Sequence, residues 1–372
     1  MLLPLVELFL EAVRVDAPSL HAAPRAAFVR EKLSGLPVRI VADDAASVLG
    51  TGCGNLICVP HTFSPDRPAT VLFAHLDTPS PTAGVRPVVA SDRITGDGST
   101  ILGVDNRAGV SILLHALRST ATTQPLGNAM VVFTVAEELG MWGAKHVDLS
   151  PFNARMAYIF DCSRRPGTFI QSCVGSSVYT ATFHGRASHA GVAPEKGINA
   201  IQMAAHAIAR MRIGRLAPKM TASVGIIKGG TATNVVPDSC YIEGEVRSFL
   251  PGEIDAYLGD MTALFEATGR EFQSTVEIQS AVDFPPFTLS SDAPVFRRAC
   301  TVLRRLGLVP DPIEYLGGSD ANMLNAKNLP AVNLGVGAQN PHGKDEFILL
   351  GDFANAYAIA HDLIQRAPDE NV

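Results

Sequence analysis

Short apolar runs alternate with helix-like segments along the first part of the chain. The runs are rich in Val, Ile and Phe and lie at 55–60, 70–77, 129–138 and 156–161. One segment repeats apolar residues with helical spacing, which predicts a helix over 107–119 with an apolar face formed by Val110, Leu113, Leu114 and Leu117. The alternation predicts βαβ units and an α/β fold, in which a mostly parallel sheet is buried on both faces and flanked by helices.

From residue 176 the pattern changes to that of a smaller module. Strand-like and helix-like segments follow one another in the order βαββαβ, which is typical of a ferredoxin-like α+β module. After residue 284 the α/β pattern resumes. We therefore predict a discontinuous domain made of 1–175 and 285–372, with a second domain, 176–284, inserted into it.

Composition narrows the class of protein. The chain has 372 residues, of which 47% are hydrophobic and 18% charged, enough for a large core and more than one domain. The net charge is -6 and no basic stripe is present, so we expect neither nucleic acid nor a membrane as a partner. The apolar start of the chain is interrupted by Glu7 and Glu11, which favours an amphipathic helix over a signal peptide. Six cysteines without a CxxC pair indicate reduced thiols and predict a cytoplasmic protein.

Acidic residues and histidines stand where the predicted strands end. His75 and Asp77 follow one strand and lie two residues apart, so their side chains project to the same side. Glu137 and Glu138 close the next strand, and Asp161 closes the one after it. Ligands of open α/β sheets bind beyond the carboxyl ends of the strands, so these side chains are expected on one rim.

Two further residues extend this rim. Asp105 stands immediately before the 107–119 helix, and His342 follows a strand-like run near the end of the chain. Taken singly, each rim residue also fits an ordinary role as a helix N-cap, a turn residue or a solvated strand end. Together, so many carboxylates would repel one another strongly unless divalent cations neutralised them. Two histidines with several Asp and Glu suit two divalent metal ions of the Zn²⁺ type, and Mn²⁺ or Co²⁺ also fits.

Motifs along the whole chain resemble those of a known enzyme family. They are FAHLDTPSP, GVDNRAG, TVAEELGMWGA, IFDCS, GRASHAG, GGTATNVVP, EGEVRS, GGSDANMLNAKNLPAVNLGVG and HGKDE. In this order they resemble the peptidase T-like branch of the di-zinc exopeptidases, a family that also includes aminoacylases and glutamate-releasing carboxypeptidases. The resemblance implies a phosphorylase/hydrolase-like core, two bound metal ions and short peptides or N-acyl amino acids as substrates.

The resemblance also implies a role for each rim residue. Asp105 becomes the carboxylate that bridges both metal ions, Glu137 the general base, and Asp77 the support of a histidine ligand. The remaining implied ligands are His75 and Asp161 for one ion, and Glu138 and His342 for the other. Because neighbours on a strand face opposite ways, the chain must turn at the two adjacent glutamates for both to reach one site.

The resemblance makes 1–175 and 285–372 the catalytic domain and 176–284 a lid domain, in which it implies three substrate contacts. His189 corresponds to a histidine that stabilises the oxyanion, Asn234 to a substrate-binding asparagine, and Arg247 to a guanidinium that clamps a carboxylate. Asn234 also fits a turn, and Arg247 also fits a surface ion pair. In the catalytic domain, Gly318 and Ser319 are implied as a cradle for substrate. Some relatives dimerise through the lid, so a homodimer is a possible assembly.

The expected function is that of an aminopeptidase with tripeptidase-like activity, because GGSDANMLN and HGKDE favour the peptidase T-like branch. An N-acyl-amino-acid amidohydrolase or carboxypeptidase is the alternative, since it would use the same metal ions. A degenerate protein that holds metal without catalysis is a third interpretation. The presence of Glu137 and of all five implied ligands argues against it.

Overall fold

The computed structural model describes residues 2–50, 52–124 and 127–367. In chain order, its helices are α1 (Leu2–Val13), α2 (Ala23–Leu33), α3 (Ala45–Leu49), α4 (Val104–Thr120), α5 (Trp142–His146), α6 (Ala200–Arg210), α7 (Pro251–Glu271), α8 (Pro294–Arg305), α9 (Asp320–Ala326) and α10 (Leu350–Gln365). Its strands are β1 (Val38–Ala42), β2 (Leu56–Pro60), β3 (Ala69–His75), β4 (Pro87–Val89), β5 (Arg93–Gly96), β6 (Ala129–Thr134), β7 (Ala154–Cys162), β8 (Thr168–Cys173), β9 (Gly175–His184), β10 (Gly214–Ala217), β11 (Met220–Gly229), β12 (Ser239–Ser248), β13 (Val276–Phe284), β14 (Phe287–Thr288), β15 (Asp311–Tyr315), β16 (Ala331–Gly335), β17 (Ala338–Gln339) and β18 (Phe347–Leu349).

The chain divides into two compact units. The first unit comprises Met1–Gln171, Thr288–Glu314 and Ser319–Val372, and the second comprises Ser172–Phe287 with Tyr315–Gly318. The second unit is thus a few residues wider at each end than the predicted lid, and it includes a short segment from a later part of the chain. Strand β9 begins two residues after β8 ends, so no linker in the sequence marks the boundary.

A nine-stranded sheet carries the centre of the first unit. Its order is β1-β2-β6-β3-β7-β16-β8-β14, with β15 paired to β8. The middle strands β6, β3, β7 and β16 run parallel, as predicted. The flanking pairs β1–β2, β2–β6 and β16–β8 are antiparallel. The prediction of βαβ units was therefore wrong for β2, because the connection from β2 to β3 is shorter than the dozen or so residues that a crossover needs.

The parallel strands are buried along their whole length. Every residue of β3 and of β6 is buried, as expected for strands covered on both faces. The predicted helix over 107–119 is the regular part of α4, which packs against β3 and is itself covered by α1 and α10. His75 pairs with Thr134, and Phe73 pairs with Ile159. Strands β3, β6 and β7 therefore end side by side.

A small antiparallel sheet was not predicted. Its order is β17-β18-β5-β4, and its strands have two to four residues. Strands so short show no hydrophobic period that a sequence could reveal. The sheet matters because the loop between β17 and β18, residues 340–346, carries His342.

The second unit contains an antiparallel sheet with the order β10-β11-β12-β9-β13. Helices α6 and α7 pack on it, and their apolar side chains form a core with those of the strands, including Phe183, Met203 and Phe265. Without β10, the chain order of these elements is the βαββαβ of a ferredoxin-like module, as predicted. No helix in the described part of the chain is long and apolar enough to cross a membrane.

Candidate metal centre

His75 is the last residue of β3, and its imidazole is buried among acidic side chains. Its Nε2 atom lies 2.9 Å from Asp105 Oδ1 and 3.2 Å from Asp161 Oδ1. On the other side of the ring, Nδ1 lies 3.1 Å from the backbone oxygen of Asp77. Burial opposes charging of the ring, but the surrounding carboxylates outweigh it and raise the pKa of His75 well above its usual value.

Asp77 holds the turn that carries the two adjacent glutamates. Its carboxylate accepts hydrogen bonds from the backbone N–H of Glu137, at 3.1 Å, and of Glu138, at 3.3 Å. Ser19 Oγ donates a further hydrogen bond of 2.7 Å to the same carboxylate. Strand β6 has already ended at Thr134, and Ala136 adopts a φ of 51°. The chain thus turns at the glutamate pair, as the sequence required for both side chains to reach one site.

Asp105 lies between the two histidines. It interrupts the first turn of α4 with a non-helical backbone conformation. While its Oδ1 faces His75, its Oδ2 lies 3.4 Å from His342 Nε2. Burial opposes ionisation, but contacts with both histidines lower the pKa of the Asp105 carboxyl below its usual value.

His342 joins the cluster from the loop between β17 and β18. Its Nε2 atom lies 3.4 Å from Glu138 Oε1, and half of its side chain is exposed. Contacts with Asp105 and Glu138 raise the pKa of His342 to about 10. The backbone of this residue is left-handed, with a φ of 66°. The structure therefore brings His75, Asp77, Asp105, Glu137, Glu138, Asp161 and His342 together in the first unit.

The acidic residues of this cluster fit a metal ion. Glu138 Oε1 and Asp161 Oδ1 are both buried, and the histidine nitrogens near them, at 3.4 Å and 3.2 Å, do not form hydrogen bonds with them. Among the described residues, no other donor makes a hydrogen bond with either atom. Ligand atoms of His75, Asp105 and Glu138 all lie within 4.8 Å of one another. Burial raises the pKa of Glu137, Glu138 and Asp161, and repulsion from neighbouring carboxylates adds to it, chiefly from Asp105 in the case of Glu138 and Asp161. Oxygen and imidazole ligands crowded in this way are typical of sites for divalent cations.

Three residues near this cluster were not predicted. Ser19 contacts Asp77, as described above. Asp320 is buried and accepts a 2.6 Å hydrogen bond from Thr134 Oγ1, and burial raises its pKa to about 7. Glu346 is buried beside α4, and burial raises its pKa to about 7 as well. Asp320 and Glu346 stand in the motifs GGSDANMLN and HGKDE, so a search for acidic residues within the quoted motifs could have found them.

Three of the candidate substrate residues, His189, Asn234 and Arg247, lie on exposed loops and a strand of the second unit. His189 pairs with Val235 in an isolated bridge, and Ala190 donates a 2.9 Å backbone hydrogen bond to Asn234. The unit thus brings the loops of His189 and Asn234 side by side. Both residues are exposed, and the Nδ1 atom of His189 accepts a 3.2 Å hydrogen bond from the backbone of Gly191.

Arg247 lies on β12 and already has partners within its own unit. Its Nη2 atom donates a 2.9 Å hydrogen bond to Glu245, and Nη1 donates one of 3.3 Å to the backbone oxygen of Leu316. Its guanidinium also stacks on the ring of Phe284, at 5.8 Å. A side chain at Gly318 would collide with the same ring, which explains the glycine there. In the first unit, Ser319 is buried at the start of α9.

Comparison with known proteins identifies the family. Residues 174–272 match the peptidase dimerisation domain, and residues 90–163 match the M42 glutamyl aminopeptidase family. The protein YqjE of Bacillus subtilis, itself uncharacterised, is 34% identical over 366 residues, which cover 98% of each chain. A tripeptidase from Staphylococcus aureus superposes with a TM-score of 0.89 and 32% identity over 97% of each chain. The chain belongs to the peptidase T-like M20 metallopeptidases.

A second solved structure supports this assignment. The aminopeptidase PepT from Bacillus cereus superposes on this metallopeptidase with a TM-score of 0.85 and 33% identity, again over 97% of each chain. The match to the dimerisation domain covers most of the second unit and lies within it. The resemblance inferred from the motifs is therefore confirmed at the level of family and fold, and the interpretation as a protein without catalysis is set aside.

Proposed function

We propose that this metallopeptidase binds two divalent cations at the cluster around Asp105. The observation that carries the proposal is the position of Asp105, whose two carboxylate oxygens face different histidines, at 2.9 Å and 3.4 Å. His75 and Asp161 would complete one site, and Glu138 and His342 the other. Zn²⁺ fits these ligands, and Mn²⁺ or Co²⁺ fits them as well.

Glu137 is the proposed general base. Two divalent cations at this site would polarise the substrate carbonyl and make water more acidic. Glu137 then takes a proton from the attacking water and gives it to the leaving amine as the peptide bond breaks. Burial raises the pKa of its carboxyl, which strengthens it as a base. Asp77 keeps Glu137 in place through its hydrogen bond to the backbone N–H.

The second unit is proposed as a lid that supplies substrate contacts. His189 would donate to the developing oxyanion, Asn234 would bind the substrate backbone, and Arg247 would clamp the terminal carboxylate. Gly318 and Ser319 are proposed to line the substrate site. The match to a peptidase dimerisation domain further supports a homodimer through this unit.

The proposed substrates are short peptides with a free amino terminus. Similarity to a tripeptidase and to an aminopeptidase supports this choice over N-acyl amino acids. Tripeptides are the preferred length in the proposal, since one of the similar solved structures is that of a tripeptidase.

A panel of substrates tests the proposal. The protein is loaded with Zn²⁺, Mn²⁺ or Co²⁺ and assayed against di-, tri- and tetrapeptides whose ends are free, N-acylated or C-amidated. We expect cleavage of tripeptides that have a free amino terminus and little cleavage of N-acylated ones. Efficient hydrolysis of N-acylated substrates would instead identify an amidohydrolase or carboxypeptidase.

A further inference from the structure

Glu346 connects two segments of the first unit that lie far apart in sequence. Its side chain is fully buried, with an exposed fraction of 0%. Glu346 Oε2 accepts a 2.6 Å hydrogen bond from the backbone N–H of Gly103, and Oε1 accepts one of 3.0 Å from the backbone N–H of Asp105. One carboxylate therefore holds the backbone on both sides of Val104, at the start of α4.

Each of the two connected segments carries a proposed metal ligand. The first segment carries Asp105 itself. The second is the loop 340–346, which carries His342 and runs directly into β18. The loop is held internally by hydrogen bonds from Asn340 Nδ2 to Asp345 Oδ2, at 2.7 Å, and from the backbone N–H of Glu346 to Gly343 O, at 3.2 Å. A displacement of Glu346 would therefore move the whole loop relative to α4.

Strand pairing already joins the same segments, but farther from the ligands. Phe347 of β18 pairs with Thr95 of β5, and the chain then needs eight more residues, 96–103, to reach Val104. Those residues include three glycines, at 96, 98 and 103, two of which have positive φ values of 83° and 66°. A connection of this kind fixes the distance between the segments only loosely. The two hydrogen bonds of Glu346 act at Asp105 directly.

The hydrogen bonds of Glu346 resemble those of Asp77. Asp77 accepts two backbone N–H groups from the turn of Glu137 and Glu138 and so fixes those side chains. Glu346 accepts two backbone N–H groups from the turn of Asp105 in the same way. Hydrogen bonds from N–H groups to a buried carboxylate are short and strong, so each turn is held in a single conformation.

We propose that Glu346 is a positioning residue that sets the separation between Asp105 and His342, and so sets the affinity for the metal ion these residues share. The inference rests on the proposed two-metal centre. His342 lies on the loop that ends at Glu346, whereas His75 and Asp161 lie on strands β3 and β7. The proposal therefore predicts that the ion held by Glu138 and His342 depends strongly on Glu346, and that the other ion, which shares only Asp105 with it, depends on Glu346 far less. If Glu346 served only to cap α4, its replacement would lower the stability of the protein and would not weaken the binding of one ion more than that of the other.

Glu346→Gln is the informative variant. Glutamine keeps the size of the side chain and one acceptor oxygen, but its NH₂ group faces one of the two N–H donors. The matched control is Asp362→Asn, which also removes a charge from a buried carboxylate, here one paired with Arg305 and Arg366 and separate from the metal centre. Both proteins are stripped of metal and titrated with Zn²⁺ by calorimetry and with Co²⁺ by absorption spectroscopy, and their metal content and melting temperatures are measured.

The expected result is a selective loss. In Glu346→Gln, one of the two binding steps should lose about ten- to hundredfold in affinity, the range found when residues that orient metal ligands are replaced. The other step should stay within about twofold of wild type, and excess Zn²⁺ should restore much of kcat. Asp362→Asn should bind both ions as the wild-type protein does, even where its melting temperature falls. Glu346→Asp, which keeps the charge on a shorter side chain, should show an intermediate affinity.

Three outcomes would overturn the inference in distinguishable ways. If Glu346→Gln binds both ions with wild-type affinity, the positioning role of Glu346 is overturned while the two-metal function stands. An equal loss of affinity at both binding steps would have the same consequence. A wild-type protein that binds fewer than two ions would overturn the proposed two-metal function and this inference with it. If Glu346→Gln does not fold, Glu346→Asp supplies the comparison by the same criteria.

Discussion

The candidate metal ligands of the first unit and the candidate substrate residues of the second differ in how firmly their own unit holds them. His75 is buried, and Asp77 beside it receives hydrogen bonds from three different residues. His189 and Asn234 are exposed, and what joins their loops is backbone hydrogen bonding. The candidate metal ligands are therefore held in place by their own unit, whereas the candidate substrate residues His189 and Asn234 are exposed side chains on loops.

The difference follows from charge. A cluster of buried carboxylates is stable only if each group is held where a cation or a proton can neutralise it, so its surroundings must be rigid. Side chains proposed to contact only a peptide carry no such cost, and those of His189 and Asn234 are exposed to solvent. The following predictions test this contrast, beginning with the largest effect.

Removal of metal should abolish turnover and reverse the pH dependence of stability. In the metal-free chain, Glu137, Glu138 and Asp161 have raised pKa values, that of Asp320 is about 7, and that of His342 is about 10. Each of these groups binds protons more tightly in the folded chain than in the unfolded chain. The pKa rises from 3.8 to about 7 for Asp320 and from 6.5 to about 10 for His342, so the two shifts together span a window from about pH 5 to about pH 8. The free energy of unfolding of the metal-free protein should therefore fall as the pH rises through this window.

The metal-loaded protein should behave in the opposite way, because its ligands must lose their protons to bind the ion, and a higher pH favours that. Thermal unfolding with and without a chelator, at about pH 5 and about pH 8, measures both slopes. Parallel slopes for the two forms would contradict the assignment of this cluster as a metal centre.

Glu137→Gln should separate catalysis from metal binding within the first unit. Loss of a general base costs about 10² to 10⁴ in rate, whereas the metal content should stay unchanged because Glu137 is not a proposed ligand. Glu138→Gln is the comparison, since it should lower both turnover and metal content. Metal analysis of the purified proteins together with kcat checks the pair. Equal metal loss in both variants would show that the two adjacent glutamates do not divide the work as proposed.

The parts of this site that the sequence predicted are those where a long buried strand ends. Strands β3, β6 and β7 each contain a run of four or five apolar residues, so His75, Glu137 and Asp161 stand out at their ends. The parallel order of these strands then places their ends on one edge of the sheet. Periodicity and simple chain geometry were sufficient at these positions.

Glu346 and the small sheet show where such reasoning stops. Its strands are too short for a period, and Glu346 contacts backbone groups more than 240 positions away in the sequence. A carboxylate that binds backbone N–H groups demands no particular partner residue, so nothing in the sequence around Gly103 points to it. The same holds for Ser19, whose contact with Asp77 depends on the path of the chain after α1.

Ser19→Ala tests how far the rigidity of the first unit extends from the ligands. The change removes the 2.7 Å hydrogen bond to Asp77 and leaves every proposed ligand in place. We expect metal affinity or kcat/KM to fall about tenfold or somewhat more, as for other residues that orient a metal site. Ser47→Ala is the control, because the Ser47 hydroxyl bonds to the backbone of an exposed turn. Unchanged kinetics and metal affinity in Ser19→Ala would mean that the backbone alone positions Asp77.

Arg247→Ala tests the opposite side of the comparison and should have the smallest effect. Arg247 donates to Glu245 in the free protein, so a substrate carboxylate must share a guanidinium whose charge is already partly balanced. We therefore expect KM to rise about tenfold for tripeptides with a free carboxylate, which corresponds to the lower end of a charged hydrogen bond, with kcat and metal content unchanged. C-amidated tripeptides should show no such rise, and Arg247→Lys should recover only part of the loss because lysine lacks the planar fork.

Glu245→Gln should lower KM for tripeptides with a free carboxylate, because it weakens the hold of Glu245 on Arg247 Nη2. Arg247→Ala could instead impair the cleavage of free and amidated peptides equally, or reduce the metal content. Arg247 would then have a structural role and not bind the substrate carboxylate, and the contrast between the two units would not hold at this residue.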